Sequence, residues 1–180
     1  MGRTEGYRHP NTEATTVPHG VILLVDDDAN FAELTRALLL QGEGGTNEVL
    51  LASDGVEAIE YLFHLGRAAT DMPDLVLLDL NMPRMDGFQV LSKMRAAERT
   101  RFVPVVILTS SVHPEDVRRA YGLGANGYLD KLSDALWDET VQTVARYWLG
   151  MNITPNSLAV QEDGVGRPLK SLHWARYTRE

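Results

Sequence analysis

Three carboxylates of this chain follow short apolar runs of the kind that form buried strands. Asp26 and Asp27 come directly after residues 21–25, and Asp79 comes directly after residues 75–78. An asparagine and a proline soon follow Asp79 and end its strand. We therefore interpret Asp79 as a carboxylate presented at the carboxyl end of a buried strand, and as a candidate phosphoryl acceptor.

The elements that must position these groups alternate along the chain. Five apolar runs are each followed by helical periodicity, which predicts a parallel sheet covered by helices on both faces through right-handed crossovers. The carboxyl ends of such strands share one edge, where α/β proteins place their chemistry. The predicted strands are residues 21–25, 48–52, 75–79, 105–109 and 127–130, and the helices are predicted to start near Asp28, Asp54, Asp86, Pro114 and Ser133.

This edge also receives the hydroxyl of Thr109 and the ammonium group of Lys131. If the three carboxylates ionise about 4 Å apart, each pair repels by roughly 4 kcal/mol at an effective dielectric of about 20, so a cation is expected among them. Carboxylates, a carbonyl and water are the ligands that Mg²⁺ prefers, and the backbone carbonyl of Asn81 is placed to take part. With Mg²⁺ on one side and Lys131 on the other, the oxygens of a phosphoryl group moving to Asp79 would be neutralised.

The composition excludes several classes of protein. A chain of 180 residues that is 44% hydrophobic can form one ordinary globular domain with tails. A net charge of -8 argues against a nucleic-acid or anionic-membrane surface. The apolar runs are far shorter than the roughly 20 residues that span a bilayer. With no cysteine and no apolar segment near the start, we expect a cytoplasmic protein without a secretory signal.

The ends of the chain lack the periodicity of the middle. Residues 1–19 are predicted to be a flexible leader, and residues 20–150 the folded domain. Residues 151–180 form a tail that is too short for a DNA-binding module with its own core. This tail either docks on the domain or on a second subunit, or it is disordered.

Four motifs resemble the signature of the receiver domain of two-component response regulators. They lie at residues 25–28, 78–87, 108–110 and 128–131, and the match covers about residues 20 to 150. The resemblance implies a flavodoxin-like fold of five strand-helix units with strand order 2-1-3-4-5. It implies that Asp79 accepts the phosphoryl group, that Lys131 contacts a phosphoryl oxygen, and that Mg²⁺ is held by Asp26, Asp27, Asp79 and the backbone carbonyl of Asn81.

The resemblance also implies a switch made by Thr109 and Tyr128. The hydroxyl of Thr109 would move toward the new phosphate, and the ring of Tyr128 would turn inward behind it. The alternatives are that Tyr128 only fills the core and that Thr109 only bonds backbone, while Asp28 is better read as a helix cap than as a ligand. Receivers usually carry proline after the lysine, but residue 132 is leucine, where a cis bond would cost roughly 3 to 4 kcal/mol.

The last helix carries more aromatic area than one face can bury. Its predicted apolar stripe is Trp137, Val141, Val144 and Trp148. The excess predicts a homodimer formed through this region, with Trp148 or its neighbours in the contact. Residues 147–149 and 152–155, with the long connection before residue 73, are similar to stand-alone receivers that serve phytochrome histidine kinases.

These features together predict a single-domain response regulator. It would accept a phosphoryl group from a sensor histidine kinase, for which a phytochrome is the first candidate, and then change its interaction surface or act as a phosphate sink. It would be a phosphoacceptor and not an enzyme. One alternative is a receiver-like scaffold that dimerises without phosphorylation. Another is a phosphohydrolase with an aspartyl nucleophile, which usually needs a second acid where Asn81 stands.

Overall fold

A computed structural model describes residues 20–41, 47–64, 72–131 and 136–154. Within these ranges lies one sheet, whose strands are β1 (Val21–Val25), β2 (Glu48–Ala52), β3 (Leu75–Leu78), β4 (Val105–Thr109) and β5 (Gly127–Asp130). All neighbouring strands are parallel, and their order is β2-β1-β3-β4-β5. The flavodoxin-like fold and strand order predicted from the sequence are therefore confirmed.

A helix follows each strand in the described part of the chain. These helices are α1 (Ala29–Gln41), α2 (Gly55–Phe63), α3 (Gly87–Ala96), α4 (Pro114–Gly122) and α5 (Trp137–Ala145), and a π-helical segment (Arg146–Met151) continues α5. No helix among these residues is long and apolar enough to cross a bilayer. The leader, residue 132, Ser133 and residues 155–180 lie outside the described residues.

The core consists of two apolar layers, one on each face of the sheet. Alternate residues of a strand point to opposite faces, so Leu23 and Val25 join one layer while Ile22 and Leu24 join the other. The first layer receives residues from α2, α3 and α4, and the second receives residues from α1 and α5. Because both faces are covered, the central strands can be apolar throughout, as the sequence runs indicated.

Polar caps start three of the helices where the sequence indicated. Asp28 Oδ1 accepts the backbone N–H groups of Asn30 and Phe31 at 3.0 and 3.1 Å, which supports its reading as a cap. Asp54 caps α2 and Asp86 caps α3. Glu57, in the first turn of α2, accepts from the backbone N–H and the hydroxyl of Ser53, the residue before the cap.

Leu34 lies off the buried face of its helix, whereas Trp148 packs where the predicted apolar stripe of the last helix places it. The buried residues of α1 are Ala32, Thr35 and Leu39, and Leu34 is 54% exposed because it lies off that stripe. Trp148 packs partly buried against the core layer beneath α1 and α5. Tyr147, Met151 and Ile153, which lie within five residues of it in sequence, are exposed.

Candidate functional site

The register of the sheet brings the predicted site residues to one edge. The last residues of β1 and β3 are paired, so the residues that follow them, Asp26 and Asp79, lie side by side. Thr109 is the last residue of β4, and Lys131 comes directly after β5. The backbone N–H of Lys131 donates to the carbonyl of Thr109 at 3.0 Å. This bond fixes the backbone of Lys131 against the neighbouring strand β4.

Three carboxylates form a compact acidic cluster at this edge. Asp26, Asp27 and Asp79 each offer an oxygen, and these oxygens lie within 4.8 Å of one another. Asp26 and Asp79 are only 3% and 6% exposed, whereas Asp27 is open to solvent. At such separations the carboxylates repel strongly, so the cluster is stable only beside positive charge.

Lys131 supplies part of that charge. Its Nζ lies 2.7 Å from Asp26 Oδ2 and 2.8 Å from Asp79 Oδ2, and its side chain is 12% exposed. Burial lowers the pKa of Lys131, but its close contacts with the two carboxylates outweigh this and raise the pKa above the ordinary value. The lysine is therefore charged at neutral pH. Burial raises the pKa of Asp26, and the contact with Lys131 offsets this only in part.

The backbone around Asp79 holds its carboxylate in place. Asp79 Oδ1 accepts the N–H of Leu80 at 2.6 Å and that of Asn81 at 3.3 Å. Gly87 begins α3 directly against this turn, and a Cβ at residue 87 would lie 2.1 Å from the Asp79 carbonyl oxygen. The glycine therefore lets α3 approach the turn, while Asp86 caps the helix.

The ligand chemistry of the cluster fits a divalent cation such as Mg²⁺. Three carboxylates share the space with a single lysine ammonium among the described residues, so negative charge is left over. Asp26 Oδ2 is fully buried and, among these residues, makes no hydrogen bond of good geometry despite its contact with Lys131. Hard oxygen ligands in this number are what Mg²⁺ requires. Asp26, Asp27 and Asp79 would hold the ion, with the backbone carbonyl of Asn81.

The two predicted switch residues meet at a serine that sequence reasoning missed. Thr109 is fully buried, and its Oγ1 accepts the N–H of Ser111 at 3.3 Å and lies 3.5 Å from Asn81 Nδ2. Tyr128 is half-buried and donates its hydroxyl to the Ser111 carbonyl at 2.7 Å. Ser111 Oγ in turn donates to Asp116 of α4 at 2.6 Å. The only sequence signal for this role was a serine two residues after Thr109. The contact with Tyr128 uses the backbone carbonyl, which every residue type carries, so the sequence could not reveal it.

A cleft of about 620 Å³ opens beside the acidic cluster. One part of its lining is polar and includes Asp27 and Asn81. The other part is apolar and consists of Phe31, Leu34 and Trp137. The sequence predicted the charged residues of this site, but it did not indicate that these three apolar side chains lie beside them.

The folded part of the chain that carries this site matches a known protein family. Residues 22–137 match the family model of the response regulator receiver domain. The chain belongs to this receiver domain family. The resemblance read from the four motifs is therefore confirmed.

Three proteins are similar to this one over most of their own length. The probable methanogenesis regulatory protein FilR2 of Methanothrix harundinacea is 41% identical over 140 residues, which cover 77% of this chain and 88% of that protein. The response regulator Rcp1 of Synechocystis is 35% identical over 136 residues, covering 73% of this chain and 90% of Rcp1. The third protein is RcpA, a cyanobacterial phytochrome response regulator whose structure has been solved.

Two solved structures agree with the fold of this receiver. The phosphorylated cyanobacterial phytochrome response regulator RcpA has a TM-score of 0.70 and 32% identity, covering 76% of this chain and 99% of RcpA. The Mn²⁺-bound form of Rcp1 has a TM-score of 0.67 and 33% identity, with coverage of 76% and 99%. The predicted similarity to phytochrome-associated receivers is therefore confirmed.

Proposed function

We propose that this receiver accepts a phosphoryl group from a histidine kinase on Asp79, with Mg²⁺ bound at the acidic cluster. The observation that carries the proposal is the contact of Lys131 Nζ with Asp79 Oδ2 at 2.8 Å, within a cluster of three carboxylates. A carboxylate used only for structure would not need a buried lysine and two further acids around it. The Mn²⁺-bound form of the related Rcp1 is consistent with a divalent cation here.

The transfer would break the bond between phosphorus and a kinase histidine nitrogen and form a bond from phosphorus to an Asp79 oxygen. The divalent cation would supply positive charge to the phosphoryl oxygens. Lys131 would contact another of these oxygens, while the N–H groups of Leu80 and Asn81 keep the carboxylate oriented. The reaction therefore asks the protein for positioning and charge, and the donor supplies the reactive bond.

The response to phosphorylation would pass through Thr109 and Tyr128. Ser111 contacts both residues and also donates to Asp116 in the first turn of α4. A phosphoryl group that draws the hydroxyl of Thr109 would therefore disturb the start of α4 and the position of the tyrosine ring. The surface formed by α4, β5 and α5 would change as a result.

The kinase partner is proposed to be of the phytochrome type, acting in the cytoplasm. The likeness to the cyanobacterial phytochrome response regulator RcpA supports this choice. The protein would act by binding and not by turnover, and its charge of -8 disfavours nucleic acid as the target.

Self-association is proposed to use the end of the final helix. Tyr147, Met151 and Ile153 are 47%, 70% and 65% exposed and lie close in sequence, so they offer apolar area to a second copy. Trp148 packs against the core, so it would support this surface from beneath. Light scattering that shows a monomer at tens of micromolar, with and without phosphorylation, would contradict the dimer.

Phosphotransfer from purified histidine kinases, phytochrome-type kinases first, tests the proposed function. Radiolabelled phosphate should move from a kinase to the wild-type protein and should not move to Asp79→Asn. A protein that dimerises but takes no phosphate from any kinase or small phosphodonor would be a scaffold. Sustained hydrolysis of a phosphate ester would point to a phosphohydrolase, although Asn81 stands where those enzymes usually carry an acid.

A further inference from the structure

We propose that Phe31 and Trp137 form an aromatic support that positions the ammonium group of Lys131. The inference rests on the proposed function of Asp79 and adds two positioning residues to it. The phosphotransfer proposed above uses the charged groups of the site and gives neither aromatic residue a role. Both line the cleft in which the phosphoryl group would lie.

The support begins in the core and ends at the lysine. Trp137 Nε1 donates to the hydroxyl of Thr35 at 3.3 Å, and both residues are buried. The rings of Trp137 and Phe31 lie 5.0 Å apart at an angle of 45°. Lys131 Nζ lies 4.7 Å from the centroid of the Phe31 ring. A hydrogen bond, a ring pair and a cation–π contact therefore link a fixed threonine to the charge beside Asp79.

The start of α1 fixes the position of Phe31. Its backbone N–H donates to the capping carboxylate of Asp28 at 3.1 Å, so the ring is attached to the first turn of the helix. Asp26, which contacts Lys131 directly, lies in the same turn between β1 and α1. One short segment therefore presents to the lysine both an anion and an aromatic face.

Lys131 needs such support because its side chain is long and flexible. It lies at the end of the edge strand β5, and it must reach past the end of β4 to contact Asp79. No proline follows it to restrain the backbone, since residue 132 is leucine. The ring adds an attractive contact that is little screened by water, because the lysine is mostly buried.

A double-mutant cycle separates this role from simple packing. Phe31→Leu keeps an apolar side chain but removes the aromatic face, and Phe31→Tyr keeps the face. With a small acyl phosphate and Mg²⁺, Phe31→Leu should slow phosphorylation of Asp79 by about fivefold, and Phe31→Tyr should restore most of the rate. In a Lys131→Met background, Phe31→Leu should have no further effect. An equal loss in both backgrounds, or a Phe31→Tyr variant as slow as Phe31→Leu, would overturn the proposal.

A second measurement does not depend on phosphorylation. The chain has only three lysines, Lys93, Lys131 and Lys170, so ¹³C-methylation of their amino groups gives a simple NMR spectrum. The Lys131 methyl resonance, assigned by its loss in Lys131→Arg, should be shifted upfield by the Phe31 ring current in the wild type and in Phe31→Tyr. It should move to the position of an exposed lysine in Phe31→Leu.

The NMR result separates failure of the support from failure of the proposed function. A Lys131 resonance that is identical in the wild type and in a folded Phe31→Leu variant would overturn the support, whatever the phosphorylation rates. A wild-type protein that takes no phosphoryl group would contradict the function of Asp79, while an upfield resonance lost in Phe31→Leu would still support the placement of Lys131.

Discussion

Lys131 Nζ contacts Asp79 Oδ2 at 2.8 Å, although 52 residues separate the two in sequence. Their strands, β5 and β3, are not neighbours, because β4 lies between them. The lysine side chain therefore crosses the end of β4 and passes Thr109, the last residue of that strand. The ammonium group of Lys131, which follows β5, contacts the carboxylates that follow β1 and β3, and a phosphoryl group bound to Asp79 would lie beside it.

Removing this charge should have opposite effects on phosphorylation and on cation binding. Lys131→Met should slow phosphorylation of Asp79 by at least about tenfold, because one counter-charge for the phosphoryl oxygens is lost. The same variant should bind Mg²⁺ several-fold more tightly, because the ammonium no longer competes for Asp26 and Asp79. Calorimetric titration with Mg²⁺ checks the second effect.

Lys93→Met is the matched control for that experiment, since Lys93 is exposed on α3. It should change neither the phosphorylation rate nor the affinity. Weaker Mg²⁺ binding in Lys131→Met, at a pH where all three carboxylates are ionised, would show that the lysine does not oppose the cation.

Two neighbouring acids should differ sharply in their effect on cation binding. Asp27 belongs to the acidic cluster, so Asp27→Asn should lower the Mg²⁺ affinity by about tenfold or more. Asp28 instead caps α1, and asparagine caps as well as aspartate, so Asp28→Asn should leave the affinity nearly unchanged. Removing divalent ions with EDTA should stop phosphorylation of the wild type. Equal losses in the two variants would mean that Asp28 is also a ligand.

The exposed Leu34 should matter to a kinase and not to a small phosphodonor. It lies on the wall of the cleft beside Asp79 and is 54% exposed, so a protein that delivers a phosphohistidine must pass close to it. Leu34→Glu should lower the rate of transfer from a kinase by about tenfold and leave phosphorylation by a small acyl phosphate unchanged.

Leu40→Glu is the control for this prediction, because Leu40 is also partly exposed on α1 but does not line the cleft. It should reduce neither rate. If Leu34→Glu slowed both donors equally, the residue would act on the site itself and not on the partner.

The pKa of Tyr128 gives a prediction for alkaline pH. Burial raises this pKa, the bond to Ser111 lowers it in part, and nearby carboxylates, Asp116 first, raise it further. The folded protein therefore keeps the phenol proton to a higher pH than the unfolded chain, whose tyrosines titrate at about pH 10. Above that pH the unfolded state binds fewer protons, so the free energy of unfolding falls as the pH rises.

Denaturant unfolding of the wild type and of Tyr128→Phe tests this sign. Between about pH 9 and about pH 11 the wild type should lose more stability than the variant, since phenylalanine has no proton to lose. Both proteins share every other titrating group. The same loss in both would show that the phenol titrates alike in the folded and unfolded chain.

The sequence predicted those parts of the fold and site that depend on local pattern and on topology. Apolar runs and capping residues located the strands and helices, and the parallel arrangement then brought Asp79 and Lys131 to one edge. The contact of Phe31 with Trp137 was not predictable, because no local pattern links side chains more than one hundred residues apart.

The other differences also have physical causes. Leu34 has the spacing of a core residue, yet the buried stripe of α1 passes through Ala32 and Thr35 instead. The role of Ser111 depends on its backbone carbonyl, which every residue carries, so its residue type could not reveal the contact with Tyr128. Trp148 packs against the core, as its place in the predicted apolar stripe of the last helix indicated, and the dimer contact at Trp148 or its neighbours stays a prediction.

The central claim is that Asp79 accepts a phosphoryl group, and intact-mass spectrometry tests it most directly. The wild-type protein, incubated with a small acyl phosphate and Mg²⁺, should gain the mass of one phosphoryl group. Peptide mapping should place that group on Asp79. The gain should be absent without a divalent cation and in Asp79→Asn. No gain in the wild type, or an equal gain in Asp79→Asn, would contradict the account.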